Sequence, residues 1–135
     1  MNINRRRAVG LFSGLALLSL ASISPAHAEG EFESHISGWY PGNESSRWQD
    51  NNTSSDWTGV YFQGCSTDGA DGFSRAGIQL WKVTDWGPDV NYGYRNNYCG
   101  WVDWGDPNSK GQYYFKLNSL LYGGYLSVDY VKVGW

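Results

Sequence analysis

Helix-forming residues are scarce in this chain beyond its first 28 positions. Only Ala70 and Ala76 remain of the alanines, and every glutamate (Glu29, Glu31, Glu33, Glu44) lies near the start of that stretch. What is left is rich in Gly, Tyr, Trp, Val and Thr, a composition that excludes a helical bundle and favours strands. Histidine is nearly absent: His35 is the one histidine after residue 28. Zinc needs three or four His, Cys or carboxylate ligands, and one histidine with two cysteines that are expected to be bonded to each other does not supply them. No cluster of Lys or Arg follows the leader either, which argues against nucleic acid and anionic lipid as partners. No metal and no cofactor is expected.

The basic residues that do cluster are Arg5, Arg6 and Arg7, followed by an apolar run from Leu11 to Leu20 and the small-x-small triplet Ala26-His27-Ala28. This order reads as a signal peptide over residues 1–28, cut after Ala28. The run is too short to span a membrane, and no second one follows, so no membrane insertion is expected. The arginines followed by Val9 resemble a twin-arginine signal but lack its usual aromatic, so the general secretory route is the expected one. The three arginines leave with the leader. Seven bases then face thirteen acids, a balance of −6. A length of 107 residues suits a single domain.

Cys65 and Cys99 are the two cysteines. An exported chain meets an oxidising compartment, where they are expected to pair.

Strands are read from apolar alternation and turns from Gly, Pro, Asn and Asp clusters. Residues 29–47 read as a polar N-terminal arm, with one short edge strand near Ile36 to Tyr40. The domain proper is expected over 48–135. Its strands are Trp57 to Cys65 (Val60 and Phe62 opposite Tyr61), Ile78 to Val83, Val90 to Tyr98, Tyr113 to Asn118 and Tyr125 to Val133. Residues 100–111 read as a long loop. Five to seven short strands with regular turns predict an all-β fold, a small antiparallel sandwich or barrel with one disulfide.

Catalytic constellations fare badly. No Gly-x-Ser-x-Gly elbow marks a nucleophile. His35 sits in the polar arm and reads as solvated. Nine aspartates could supply a glycosidase pair, but most lie in Gly/Asn/Pro turns, where Asp bonds its own backbone. Asp68 and Asp71 lack the full oxygen pattern of a calcium loop. The chain is therefore expected not to be an enzyme.

What it has in abundance is rings. Beyond residue 28 there are eight Trp, ten Tyr and four Phe, against fourteen Val, Ile and Leu. Such a core must be largely aromatic, which assigns the strand-borne Trp57, Tyr61, Phe62, Trp81, Tyr113, Phe115 and Tyr130 to core or sheet-face packing. Tyr92, Tyr94 and Tyr98 alternate and should share a face. The turn-borne rings remain: Trp86, Trp101, Trp104 and Trp48, with Asp103 between two of them. These are the candidate binding residues, suited to a protein hot spot or to stacking on sugar. Sugar-targeting modules usually accompany a catalytic domain, for which this chain has no room. That favours another secreted protein as partner over carbohydrate, and a small secreted hydrolase ranks third.

The segments Arg47-Trp48-Gln49-Asp50, Phe62-Gln63-Gly64-Cys65, Pro88-Asp89-Val90-Asn91-Tyr92-Gly93, Cys99 and Tyr113-Tyr114-Phe115 follow one another through most of the chain. In this order they resemble small secreted actinobacterial disulfide-bonded β-proteins, a kind that includes the adaptor subunit of umbrella toxin particles. The resemblance implies an adaptor that joins a lectin-like subunit to a stalk subunit. It transfers no interface residue.

Overall fold

The computed structural model describes residues 29–135; the leader lies outside them. Among the described residues there is no helix. Eight strands occur: β1 (Glu31–Trp39), β2 (Trp48–Asp50), β3 (Gly59–Thr67), β4 (Ala76–Lys82), β5 (Val90–Asn97), β6 (Trp101–Asp103), β7 (Gly111–Leu120) and β8 (Leu126–Gly134). They form two antiparallel four-stranded sheets packed as a sandwich. Sheet A has the order β1-β8-β3-β6 and sheet B the order β2-β7-β4-β5. The expected all-β sandwich is found, with eight strands rather than five to seven. The two extra strands, β2 and β6, are three residues each. Both lie in stretches whose Gly, Asn and Pro content reads as loop.

Residues 29–47 are not a free arm. β1 runs antiparallel along β8 from Glu31 opposite Gly134 to Trp39 opposite Leu126. The Glu29 carboxylate reaches back to accept amide hydrogens from Asn51 and Ser54, each at 2.9 Å, and from Thr53. These backbone donors hold its pKa below the usual value, against a desolvation that works the other way. The amides of Glu29 and Gly30 both donate to the carbonyl of Trp135.

The interior lies between the sheets. Ile78, Leu80, Leu117, Leu126, Val60, Val128, Val131 and Val133 are fully buried, and so are Phe62, Phe115 and Tyr113. Rings link the sheets across the middle. Trp39, Phe115 and Phe62 follow one another at 5.7 and 6.1 Å between centroids. Near the chain ends Trp48 sits among Phe32, Tyr113 and Trp135 at 5.9, 6.3 and 5.9 Å. Burying a large side chain fully contributes roughly 1.5–3 kcal/mol, so rings can do here what too few aliphatics cannot.

One kink decides which residues of β3 and β8 face outward. Strand alternation would put Val128 and Val131 on opposite faces, yet both are buried. The register runs from Gln63 opposite Tyr130 to Cys65 opposite Val128. Between those pairs Gly64 takes φ +70°, and a Cβ there would stand 2.4 Å from an Asp129 carboxylate oxygen. The left-handed glycine turns both strands over, so Phe62 and Val131 face in while Tyr61, Gln63 and Tyr130 face out.

Cys65 of β3 and Cys99, in the turn between β5 and β6, form a disulfide that closes a separation of 34 residues. The link ties the turn joining the two sheets to a central strand. Asn97, fully buried, builds the same turn. Its Oδ1 accepts the amides of Cys99 and Gly100, and its Nδ2 donates to the Gly100 carbonyl.

Two stability predictions follow from this frame. Replacing both cysteines by serine should lower the free energy of unfolding by about 3.5–4 kcal/mol, as loop-closure entropy for such a separation gives; urea denaturation measures it. Gly64→Ala forces a left-handed alanine onto Asp129. It should cost about 1–3 kcal/mol on the same scale.

Candidate binding surfaces

The four tryptophans singled out by their turn positions do not share one surface. Trp48 is 5% exposed. On β2 the alternation turns Trp48 and Asp50 inward and Gln49 outward, and Trp48 pairs with Tyr113 of β7. Polar neighbours therefore concealed a core residue. Asp50 goes in with it. Burial pushes its carboxyl pKa up, opposed by the amide of Asn52 on Oδ1.

Trp104 is half-buried and also turned in. Its Nε1 donates to the Gly93 carbonyl at 2.9 Å, and the Arg95 guanidinium lies 6.0 Å from its ring centroid. Arg95 in turn donates from Nε to the Asp103 carbonyl at 2.9 Å. These bonds close the side of the sandwich where β6 of one sheet meets β5 of the other. Gly93, at φ +102°, lies in an irregularity of β5 opposite β4. That irregularity separates three tyrosines expected on one face: Tyr92 packs on Tyr113 at 5.8 Å, while Tyr94 and Tyr98 are exposed.

Trp86 is 94% exposed, the most accessible of the large apolar side chains among the described residues. Its loop, Asp85-Trp86-Gly87-Pro88-Asp89, is nonetheless tied down. The Thr84 amide donates to Asp89 Oδ1 at 3.1 Å, and the Thr84 hydroxyl donates to the Pro88 carbonyl at 2.6 Å. Asp89 Oδ2 accepts the Tyr114 hydroxyl at 2.7 Å. That hydroxyl, with the Thr84 amide behind it, holds the Asp89 pKa below its ordinary value. The same bond, added to burial, pushes the Tyr114 phenol up. The ring is thus carried on a braced hairpin rather than a slack loop.

Trp101 and Asp103 belong to a second surface, the outer face of sheet A. Trp101 lies opposite Tyr61, and Asp103 opposite Gly59. The Trp101 ring covers Gly59, where a Cβ would stand 3.4 Å from it. Trp101 and Tyr61 are 5.2 Å apart, tilted by 40°; Tyr61 and Tyr130 are 6.1 Å apart, at 68°. The three rings form a row across β6, β3 and β8. Polar groups border it. Tyr130 donates its hydroxyl to Glu33 at 2.7 Å, Tyr61 donates to Gln63 at 3.3 Å, and Lys132 pairs with Glu31 at 2.9 Å. Asp103 Oδ1 accepts the Gly105 amide.

Tyr61 and Tyr130, expected in core or sheet-face packing, lie half-buried on the sheet face. For Tyr61 the signal was there, since it alternates with Val60 and Phe62. For Tyr130 it was hidden, because the kink at Gly64 and Asp129 shifts the parity of β8. Trp57, expected on a strand face, precedes β3 and is 62% exposed.

Most carboxylates serve the frame. Asp68 Oδ1 accepts the amides of Gly124 and Tyr125, which hold its pKa down, Tyr125 most of all. Asp106 accepts the Asn108 amide, and Glu44 pairs with Lys116 at 3.6 Å. His35 is exposed on β1 and lines an open cavity of about 190 Å³ beside Ile36, Trp39 and Phe115.

No family model, curated protein or solved structure matches this chain.

The bond to Glu33, more than burial, pushes the Tyr130 phenol up to about 12. A raised phenol pKa contributes stability that is whole below the ordinary tyrosine value and is lost as pH rises through the raised one. Absorbance titration, read as the difference between wild type and Tyr130→Phe, should show this phenol ionising near 12. Glu33→Gln should return it towards about 10.

Proposed function

We propose that the chain is an exported, non-catalytic binding protein that acts through another secreted protein, with Trp86 as its anchor. The observation that carries this is a single ring, 94% exposed, held on a loop braced by Thr84, Asp89 and Tyr114. Protein hot spots are enriched in Trp that fills a pocket on the partner. A loop already braced loses little backbone freedom on docking. Asp85 beside it would sit at the rim of such a contact.

Export is supported by the Arg5–Arg7, Leu11–Leu20 and Ala26–Ala28 order of the leader. The Cys65–Cys99 disulfide suits an oxidising compartment. Among the described residues no helix is long and apolar enough to cross a membrane. The non-catalytic reading rests on how the carboxylates are used: Glu29, Glu33, Asp50, Asp68, Asp89 and Asp106 each accept hydrogen bonds that shape a turn or fix a ring. An adaptor subunit of a secreted toxin particle is the specific role that the resemblance of the sequence suggests.

Affinity capture from culture medium, with the tagged secreted protein as bait, tests this. A defined exported partner should be retained by wild type and lost with Trp86→Ala, a drop of at least about tenfold as expected for a hot-spot ring. Equal recovery with both baits, or no specific partner, would sink the proposal.

A further inference from the structure

The outer face of sheet A is a different surface from the Trp86 loop. We infer that it is a glycan-binding face: the row Trp101–Tyr61–Tyr130 receives a single chain of neutral sugar. Ring faces cover the apolar C–H face of a sugar, while its hydroxyls need acceptors and donors at the edges. Here both are interleaved. Glu33 accepts the Tyr130 hydroxyl with Oε1, and Gln63 accepts that of Tyr61 with Oε1. Among the described residues the second Glu33 oxygen and the Gln63 amide nitrogen make no further hydrogen bond, so both have capacity for a ligand's hydroxyls. The internal bonds also fix the tyrosine rings before anything binds, which lowers the ordering cost.

Charge narrows the ligand further. Glu33 and Asp103 border the row; of the cations near it, Lys132 is paired with Glu31 at 2.9 Å and Arg95 donates to the Asp103 and Tyr94 carbonyls. Such a border repels uronic-acid or sulfated chains and suits an uncharged one. The ring tilts of 40° and 68° narrow it again. Rings so inclined make no plane, so they do not fit the flat face of a crystalline polysaccharide. They fit one chain free to twist.

The row is small. Trp101 is 37% exposed, and both tyrosines are partly buried. From ordinary ring areas the row offers on the order of 200 Å² of open aromatic surface. A short run of sugar rings needs no more than the row provides.

The test uses the secreted protein and soluble neutral hexasaccharides of glucose, xylose, mannose, galactose and N-acetylglucosamine, with microcrystalline cellulose and polygalacturonate alongside. Titration is followed by tryptophan fluorescence and calorimetry. At least one hexasaccharide should bind saturably, with neither cellulose nor polygalacturonate retained. Trp101→Ala should weaken binding by about tenfold or more, the loss expected for a stacked ring. Glu33→Gln and Tyr130→Phe, which keep the ring row, should weaken it less while leaving the circular dichroism spectrum unchanged. Trp86→Ala should bind sugar as wild type does, which keeps this face distinct from the protein anchor. No response to any hexasaccharide would overturn the inference. So would wild-type affinity in Trp101→Ala, retention on cellulose alone, or a captured protein whose binding depends on Trp101 without any glycan response.

Discussion

The interior of this sandwich has to be filled with rings. Fourteen Val, Ile and Leu cannot line two four-stranded sheets, so Trp39, Phe62, Trp48, Tyr113 and Phe115 take aliphatic places. Once those rings are inside, strand alternation fixes where the others go. Trp101 and Tyr61 lie opposite one another on the outer face because Val60 and Phe62 face in. Trp86 stands clear because it belongs to no strand. The binding surfaces proposed above are what remains after the core has been satisfied.

Two devices keep that division sharp. The left-handed turn at Gly64 lets β8 bury Val128 and Val131 alike and still present Tyr130 beside Tyr61. The Asn97 turn and the disulfide bind the crossover from β5 to β6, which carries Trp101. Without them β6 would be a three-residue edge strand with little to hold it, since so short a ladder is weak alone. Trp104 adds to this hold from the inside through its bond to Gly93. A disulfide, a buried amide and an indole thus support one exposed ring.

The fold class was legible because composition and alternation report it directly: β-branched and aromatic residues dominate, and turns recur at Asp68–Gly72, Asp85–Asp89 and Gly123–Gly124. β2 and β6 were not legible, since a three-residue strand has too few positions to display a period. Tyr61 could be read as outward from its neighbours, whereas Tyr130 could not, because its parity depends on a glycine in another strand. Trp48 misleads for a related reason. Arg47, Gln49 and Asp50 make it look solvated, but a strand needs only every second residue to be apolar, and Asp50 is itself drawn inside. Trp57 errs in the opposite direction, as the strand begins two residues after it.

Residue-resolved oxidative footprinting of the free protein tests this allotment of rings most directly. Hydroxyl radicals should label Trp86 and Trp57 fastest, Trp101 at an intermediate rate, and Trp48 slowest, in the order of their exposures of 94%, 62%, 37% and 5%. Labelling of Trp48 at the rate of Trp86, or protection of Trp86 and Trp101 together, would contradict the account.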